Sequence, residues 1–263
     1  LIAPIDQDIF YSEYYEKKPL LIKRGFFNFY NNLLNINDID SFLRLDNLNF
    51  KDFKLLHNNQ TVPLTLYSNS TGTAIDPQKL QDYKKKGALI VINNINRKIQ
   101  KIADFLEPIE SELKTSFQCN CYISPENSHG FKAHYDTHDV FALQIYGKKT
   151  WEIYNPDEYL PCKIDNKELD FLTEDKLTPL MTIELEQGDL LYIPRGFYHK
   201  AFTTNHSSAH IALNYSLIFG YKLISTLGKE LHVNDFFRKT YPSSGFDKEN
   251  YVSERVFVTV RDG

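Results

Sequence analysis

The apolar and polar positions fall into two regimes along the chain. Residues 5–18 set Phe10, Tyr11, Tyr14 and Tyr15 among charges, which predicts a first helix. KKPLLIKRG (17–25) reads as a short buried strand ending at Gly25. Residues 37–44, NDIDSFLR, predict a helix capped by Asn37 or Asp38. TVPLTLYS (61–68) reads as a strand, STGTAIDP (70–77) as a loop and GALIVINN (87–94) as a strand. Residues 97–114 repeat apolar side chains at 99, 102, 105, 106 and 109, the spacing of one helical face. Pro108 should kink or divide that helix.

From residue 117 the period shortens. FQCNCYIS, DVFALQIYG, KTWEIYN, MTIELE, DLLYIP and HIALNYSLIF are strand-like runs, separated by turn residues at Pro125, Gly130, Gly147, Asn155–Pro156 and Gly188–Asp189. So many strands in so short a stretch predict a mainly β fold with flanking helices, an antiparallel barrel or jelly roll. The segment 221–238 returns to a helical pattern, and 241–263 has no readable pattern.

Composition narrows the class. The 263 residues are 42% hydrophobic and 24% charged, which fits a folded globular chain. The formal charge of −4 gives no broad cationic surface, so no nucleic-acid footprint is expected. No apolar run reaches the length of a membrane span. The start, LIAPIDQDIF, has neither an initiator Met nor a basic segment followed by an apolar one, so no signal peptide is read. Three cysteines, an odd number, argue against a disulfide scaffold and for a reducing, cytoplasmic setting.

Two stretches carry candidate chemistry, HGFKAHYDTHDVF (129–141) and GDLLYIPRGFYHKAF (188–202). In extended chain, residues i and i+2 point to one side, so His134 and Asp136 can converge. A barrel can bring His199 alongside them. Two imidazoles and one carboxylate then hold one face of a metal and leave the others open, the donor set of non-haem Fe(II) oxygenases. An isolated HxD triplet is more often a surface feature than a ligand set. Here it precedes a strand, and His199 follows a Gly-Asp turn, a strand and Pro194–Arg195–Gly196. Cys119 and Cys121 straddle Asn120 on the opposite strand face and should pack rather than bind metal. Asp139 reads as an acid at the pocket mouth holding a cationic substrate side chain, or as a turn acid or strand cap.

HYDTHDVFALQIYGKKTWEIY, GDLLYIPRGFYHKA, EKKPLLIKRG and NCYISPENSHGFKAHYD, taken together, resemble JmjC-type oxygenases of the cupin superfamily, and within them the ribosomal oxygenase branch. The resemblance spans roughly residues 5–219. It implies a double-stranded β-helix domain over 1–219, with N-terminal α/β elements and a barrel core at about 117–219. A short C-terminal helical extension would occupy 220–263. It implies Fe(II) on His134, Asp136 and His199, with 2-oxoglutarate and O2 as cosubstrates. Lys149 matches the basic residue that pairs with the distal carboxylate of 2-oxoglutarate, while Lys148 reads as a solvated turn lysine. Tyr122 matches a phenol that assists Lys149, and Asn120 a cosubstrate-proximal asparagine. His210 matches a histidine near the metal that is not a ligand; a strand histidine satisfied by a neighbour is the equal alternative.

The implied activity is hydroxylation of a protein or peptide side chain, Arg or His in a ribosomal protein. The competing readings are the same chemistry on a biosynthetic peptide, free amino acid or N-methyl-lysine, and a non-catalytic metal-binding cupin. Asn214 departs from the pattern, since members often carry a small hydroxyl there. Full-length members continue into a helical dimerisation region and a winged helix. The segment 217–238 reads as a shortened dimerisation element, hence a possible homodimer.

Overall fold

The computed structural model describes residues 1–46, 48–58, 60–157, 159–162, 178–215, 219–235 and 237–238. Two compact units are present, Leu1–Leu217 and Ile218–Gly263. The tail 241–263 lies outside the described residues.

The first unit opens with α1 (Gln7–Ile9), capped by the Asp6 carboxylate, and runs straight into a π turn at Phe10–Tyr14. The expected single helix is thus short and ends in a wider coil, closed by the Tyr15 N–H on the Phe10 carbonyl at 2.9 Å. Strand β1 (Leu20–Ile22) follows. Helix α2 (Ile36–Phe42) starts one cap earlier than expected: Asn35 and Asp38 form a reciprocal capping box. Strands β2 (Phe53–His57) and β3 (Gln60–Thr61) form a hairpin. The strand expected over 61–68 is not there; Pro63 has no N–H to pair, and a 3-10 turn, Leu64–Leu66, takes its place. Helix α3 (Pro77–Lys85), capped by Asp76 with proline at its first position, was not expected from the pattern. Strand β4 (Leu89–Ile92) and helix α4 (Gln100–Leu113) complete the N-terminal part, and α4 continues through Pro108.

The C-terminal part of this unit is β5 (Phe117–Ser124), β6 (Val140–Ile153), β7 (Met181–Glu186), β8 (Leu190–Ile193), β9 (His199–Phe202) and β10 (Ser208–Tyr215). All the pairings are antiparallel, in the order β1-β8-β6-β10-β5-β4-β2-β3. The runs expected as two strands, 139–147 and 149–155, are one 14-residue strand, β6. Its first half pairs with β8 and β10, its second with β7 and β9. The changeover falls at Gly147, φ +64, where an added Cβ would sit 1.9 Å from the Ser207 carbonyl oxygen. One strand therefore joins two sheets, the topology of a double-stranded jelly roll.

Alternation sorts each strand into two faces. On β5, Phe117, Cys119, Cys121 and Ile123 join the main core with Ile102 and Leu106 of α4, Leu80 of α3 and Ile39 of α2. The helices thus cover one face of the sheet. Asn120, Tyr122 and Ser124 lie on the other face, directly across from Ala212, His210 and Ser208 on β10. His210 and Ala212 are in turn across from Gln144 and Ala142 on β6. The site is built on this second, polar face. The second unit contains α5 (Gly220–Leu231), where Leu223, Ile224 and Leu227 are exposed. No helix among the described residues is long and apolar enough to cross a membrane.

Candidate metal centre

His134 and His199 face each other across an isolated antiparallel bridge. The His134 N–H donates to the His199 carbonyl at 3.1 Å and the His199 N–H to the His134 carbonyl at 2.8 Å. This paired exchange fixes the two side chains side by side, ring centroids 4.7 Å apart. Asp136 lies two residues on, as extended geometry requires, with Oδ2 3.7 Å from His199 Nε2. One donor atom from each of the three lies within 4.8 Å of the others.

The imidazoles are already in the form a metal needs. His134 Nδ1 is 2.8 Å from the Lys132 carbonyl and His199 Nδ1 is 3.1 Å from that of Phe197. A carbonyl only accepts, so each Nδ1 carries a proton, and Nε2 is the nitrogen left to face a metal. Burial and the neighbouring His134 hold His199 neutral, with its pKa pushed down to about 4. His199 is buried, whereas His134 and Asp136 are partly exposed, so the site opens on one side. Two imidazoles, a carboxylate and open faces fit Fe(II) or a similar divalent ion.

The polar face of β5, β6 and β10 adjoins this triad. Lys149 is 3% exposed and donates to Ser124 Oγ at 2.7 Å. No carboxylate among the described residues pairs with it, and burial pushes its pKa down to about 7. A buried ammonium lacking a counter-ion suits an anionic ligand. His210 stacks on Tyr122, ring centroids 4.8 Å apart and planes 2° from parallel. Trp151 is 5.3 Å from His210 and 6.0 Å from His199, centroid to centroid, and so lies between the Tyr122–His210 stack and the metal site. Three buried polar atoms here, Gln144 Oε1, His210 Nδ1 and Trp151 Nε1, have no hydrogen-bond partner among the described residues. They leave this face short of partners that a polar ligand would provide. Asn120 accepts from the Asn94 N–H at 3.2 Å and hydrogen-bonds the Tyr122 hydroxyl. Burial is the main reason the Tyr122 phenol is pushed up to about 12, so it is neutral.

A JmjC domain family model matches residues 91–221, a span that holds the triad, Lys149 and the strands that carry them. The chain belongs to the JmjC family. Several relatives are about a third identical to it. Over 226 residues it is 31% identical to the bifunctional lysine-specific demethylase and histidyl-hydroxylase NO66 of Aedes aegypti, covering 81% of this chain and 34% of that protein. The Dictyostelium discoideum protein of the same name is 34% identical over 233 residues, 81% of this chain and 41% of that one. Ribosomal oxygenase 1 of Gallus gallus is 31% identical over 212 residues, 76% and 33% respectively. The chain thus spans about a third to two fifths of the length of these relatives. Among solved structures, the ribosomal oxygenase YcfD of Escherichia coli with cobalt and 2-oxoglutarate superposes with a TM-score of 0.61. That match is 18% identical and covers 98% of this chain and 67% of YcfD, a likeness of fold.

The structure brings the expected JmjC residues together unevenly. His134, Asp136 and His199 form one cluster. Tyr122 does not bond Lys149; it stacks on His210, and the Lys149 partner is Ser124. His210 lies outside the three-residue cluster, stacked beside Tyr122. Lys148 is at the surface, bridged to Glu184 at 3.0 Å and Glu186 at 2.5 Å. Asp139 is neither at the pocket mouth nor a solvated turn acid: it is completely buried. Sequence reasoning missed Ser124 and Trp151. Strand alternation could have found both, since Ser124 is two residues beyond Tyr122 and Trp151 two beyond Lys149.

Proposed function

We propose that the chain is an Fe(II)- and 2-oxoglutarate-dependent dioxygenase that hydroxylates a protein or peptide side chain. The observation that carries this is the pairing of an open two-histidine, one-carboxylate triad with a buried lysine that has no counter-ion. The relatives named as histidyl-hydroxylase and ribosomal oxygenase support an Arg or His target in a ribosomal protein. In this reading residues 1–219 are the oxygenase domain and 220–263 a short extension. The exposed apolar residues of α5 support a homodimer through that extension. The mild negative charge and the odd count of three cysteines support a cytoplasmic protein without a nucleic-acid footprint.

His134, Asp136 and His199 would hold the metal through Nε2, a carboxylate oxygen and Nε2. When bound, Fe(II), 2-oxoglutarate and O2 supply oxidative decarboxylation to succinate and CO2, with one oxygen passed to a substrate C–H. The residues of the chain do the rest. Lys149, held by Ser124, would receive the distal carboxylate and so orient the cosubstrate against the polar face of β5, β6 and β10. The Tyr122–His210 stack and Trp151 would flank it on that face. The exposed sides of His134 and Asp136 leave room for the substrate side chain.

Purified protein supplied with Fe(II), 2-oxoglutarate and O2 should release succinate, and His134→Ala should abolish the release. Peptides from ribosomal proteins should gain one oxygen by mass. An iron-loaded protein that yields no succinate with any candidate peptide would falsify the oxygenase reading. Succinate without peptide oxidation would move the substrate to another class.

A further inference from the structure

Four hydrogen bonds stitch the segment bearing His134 and Asp136 to the segment bearing His199. Three use main chain: the two of the His134–His199 bridge and the Gly196 N–H on the Asp136 carbonyl at 3.0 Å. The fourth uses a side chain, with the Arg195 N–H donating to Asp139 Oδ1 at 2.9 Å. The other oxygen of this buried carboxylate accepts from the Tyr192 hydroxyl at 3.0 Å and the Tyr215 hydroxyl at 3.3 Å. Three donors compensate a group that would otherwise be costly to bury.

The same set of contacts reaches the start of the chain. The Tyr192 hydroxyl, while donating to Asp139, accepts from the Glu16 N–H at 2.9 Å. The Glu16 carboxylate meets the Arg195 guanidinium at 2.8 Å, and the Arg195 side chain is 8% exposed. Glu16 adopts φ 57, a left-handed conformation that is unfavourable for a non-glycine residue. Its N–H on Tyr192 and its carboxylate on Arg195 hold it there.

We propose that Asp139 and Glu16 are positioning residues of the metal site. They grip Arg195 at both its main-chain N–H and its guanidinium. Through it they set the turn Arg195–His199, and with it the approach of His199 Nε2 to His134 and Asp136. This rests on the metal-site reading. A divalent metal tolerates ligand misplacement of only a few tenths of an ångström, so loosening this turn reaches the metal directly. Asp139→Asn keeps the shape and one acceptor but faces the two tyrosine hydroxyls with an amide that donates. Glu16→Gln keeps the size and removes the negative charge that pairs with Arg195.

The test is Co(II) titration of the full metal-free chain, followed by the visible absorption bands of the bound ion, with thermal melts in parallel. Ile102→Val, a conservative core change in α4, serves as a control for lost stability alone. Glu16→Gln and Asp139→Asn should each bind Co(II) about tenfold more weakly with altered bands. Ile102→Val should bind like the unchanged chain. If Asp139→Asn fails to fold, Glu16→Gln alone decides. Unchanged affinity and bands in Glu16→Gln overturn the proposal, as does affinity that merely tracks melting temperature across all three variants. An unchanged chain that binds no Co(II) overturns it together with the metal reading.

Discussion

A lysine ammonium inside a barrel, with one serine hydroxyl for company, is more acidic than in water because only its charged form loses hydration. For Lys149 the sign follows directly. Its folded pKa, about 7, is below its unfolded value, so the unfolded chain binds more protons between roughly pH 7 and pH 10.5. This group's contribution to stability therefore rises with pH across that window, by at most about 1.4 kcal/mol per pH unit. The stability of the ligand-free chain relative to Lys149→Met should climb between pH 7.5 and 9.5, measured by urea unfolding. Cys121 and His210 are the titratable neighbours in this field, and both remain in the variant. A bound dicarboxylate should flatten the climb by restoring the charged lysine, and a flat difference without ligand would contradict the assignment. At this scale the clustering of His134, Asp136 and His199 was legible from i, i+2 spacing and motif context. The burial of Asp139 was not, because its three partners come from β8, β10 and the turn before β9.

At the scale of elements, β6 decides the architecture. Its change of partners depends on Gly147, which has a left-handed φ and a carbonyl packed where a side chain would begin. Gly147→Ala should cost about 2–4 kcal/mol, read from denaturant unfolding, and lower Co(II) affinity because Lys149 and Trp151 lie just beyond the bend. A loss under about 0.5 kcal/mol would show that the bend is set elsewhere. The strands from 117 onward were readable because half-buried pleats alternate. The 61–68 segment misled because its apolar residues fit a strand while Pro63 removes the necessary donor. Helix α3 was missed since most of its positions are polar; only Leu80 is buried. Pro108 did not break α4, whose face is held by Ile102 and Leu106 in the core.

At the scale of the whole molecule, His134, Asp136, His199, Lys149, Tyr122, His210 and Trp151 all lie within the unit Leu1–Leu217. A chain ending at residue 219 should therefore fold cooperatively and bind Co(II) within about twofold of the full chain, by calorimetric titration. A tenfold loss would place part of the site's support in 220–263. The same chain should sediment as a monomer if α5 carries the dimer contact, whereas the full chain should not.

The amino-acid sequence by itself determined the class of chemistry. Residue types such as imidazole and carboxylate carry intrinsic donor properties, and their spacing along an extended segment fixes which side they share. It also determined most strands, because burial on one face leaves a period of two. Only the tertiary structure decided which distant groups meet. It placed Ser124 rather than Tyr122 against Lys149, and stacked Tyr122 on His210. It also buried Asp139 between two tyrosines and a turn, and brought Glu16 onto Arg195. Such contacts depend on strand register and on closure of the chain over long separations, and neither leaves a local pattern to read.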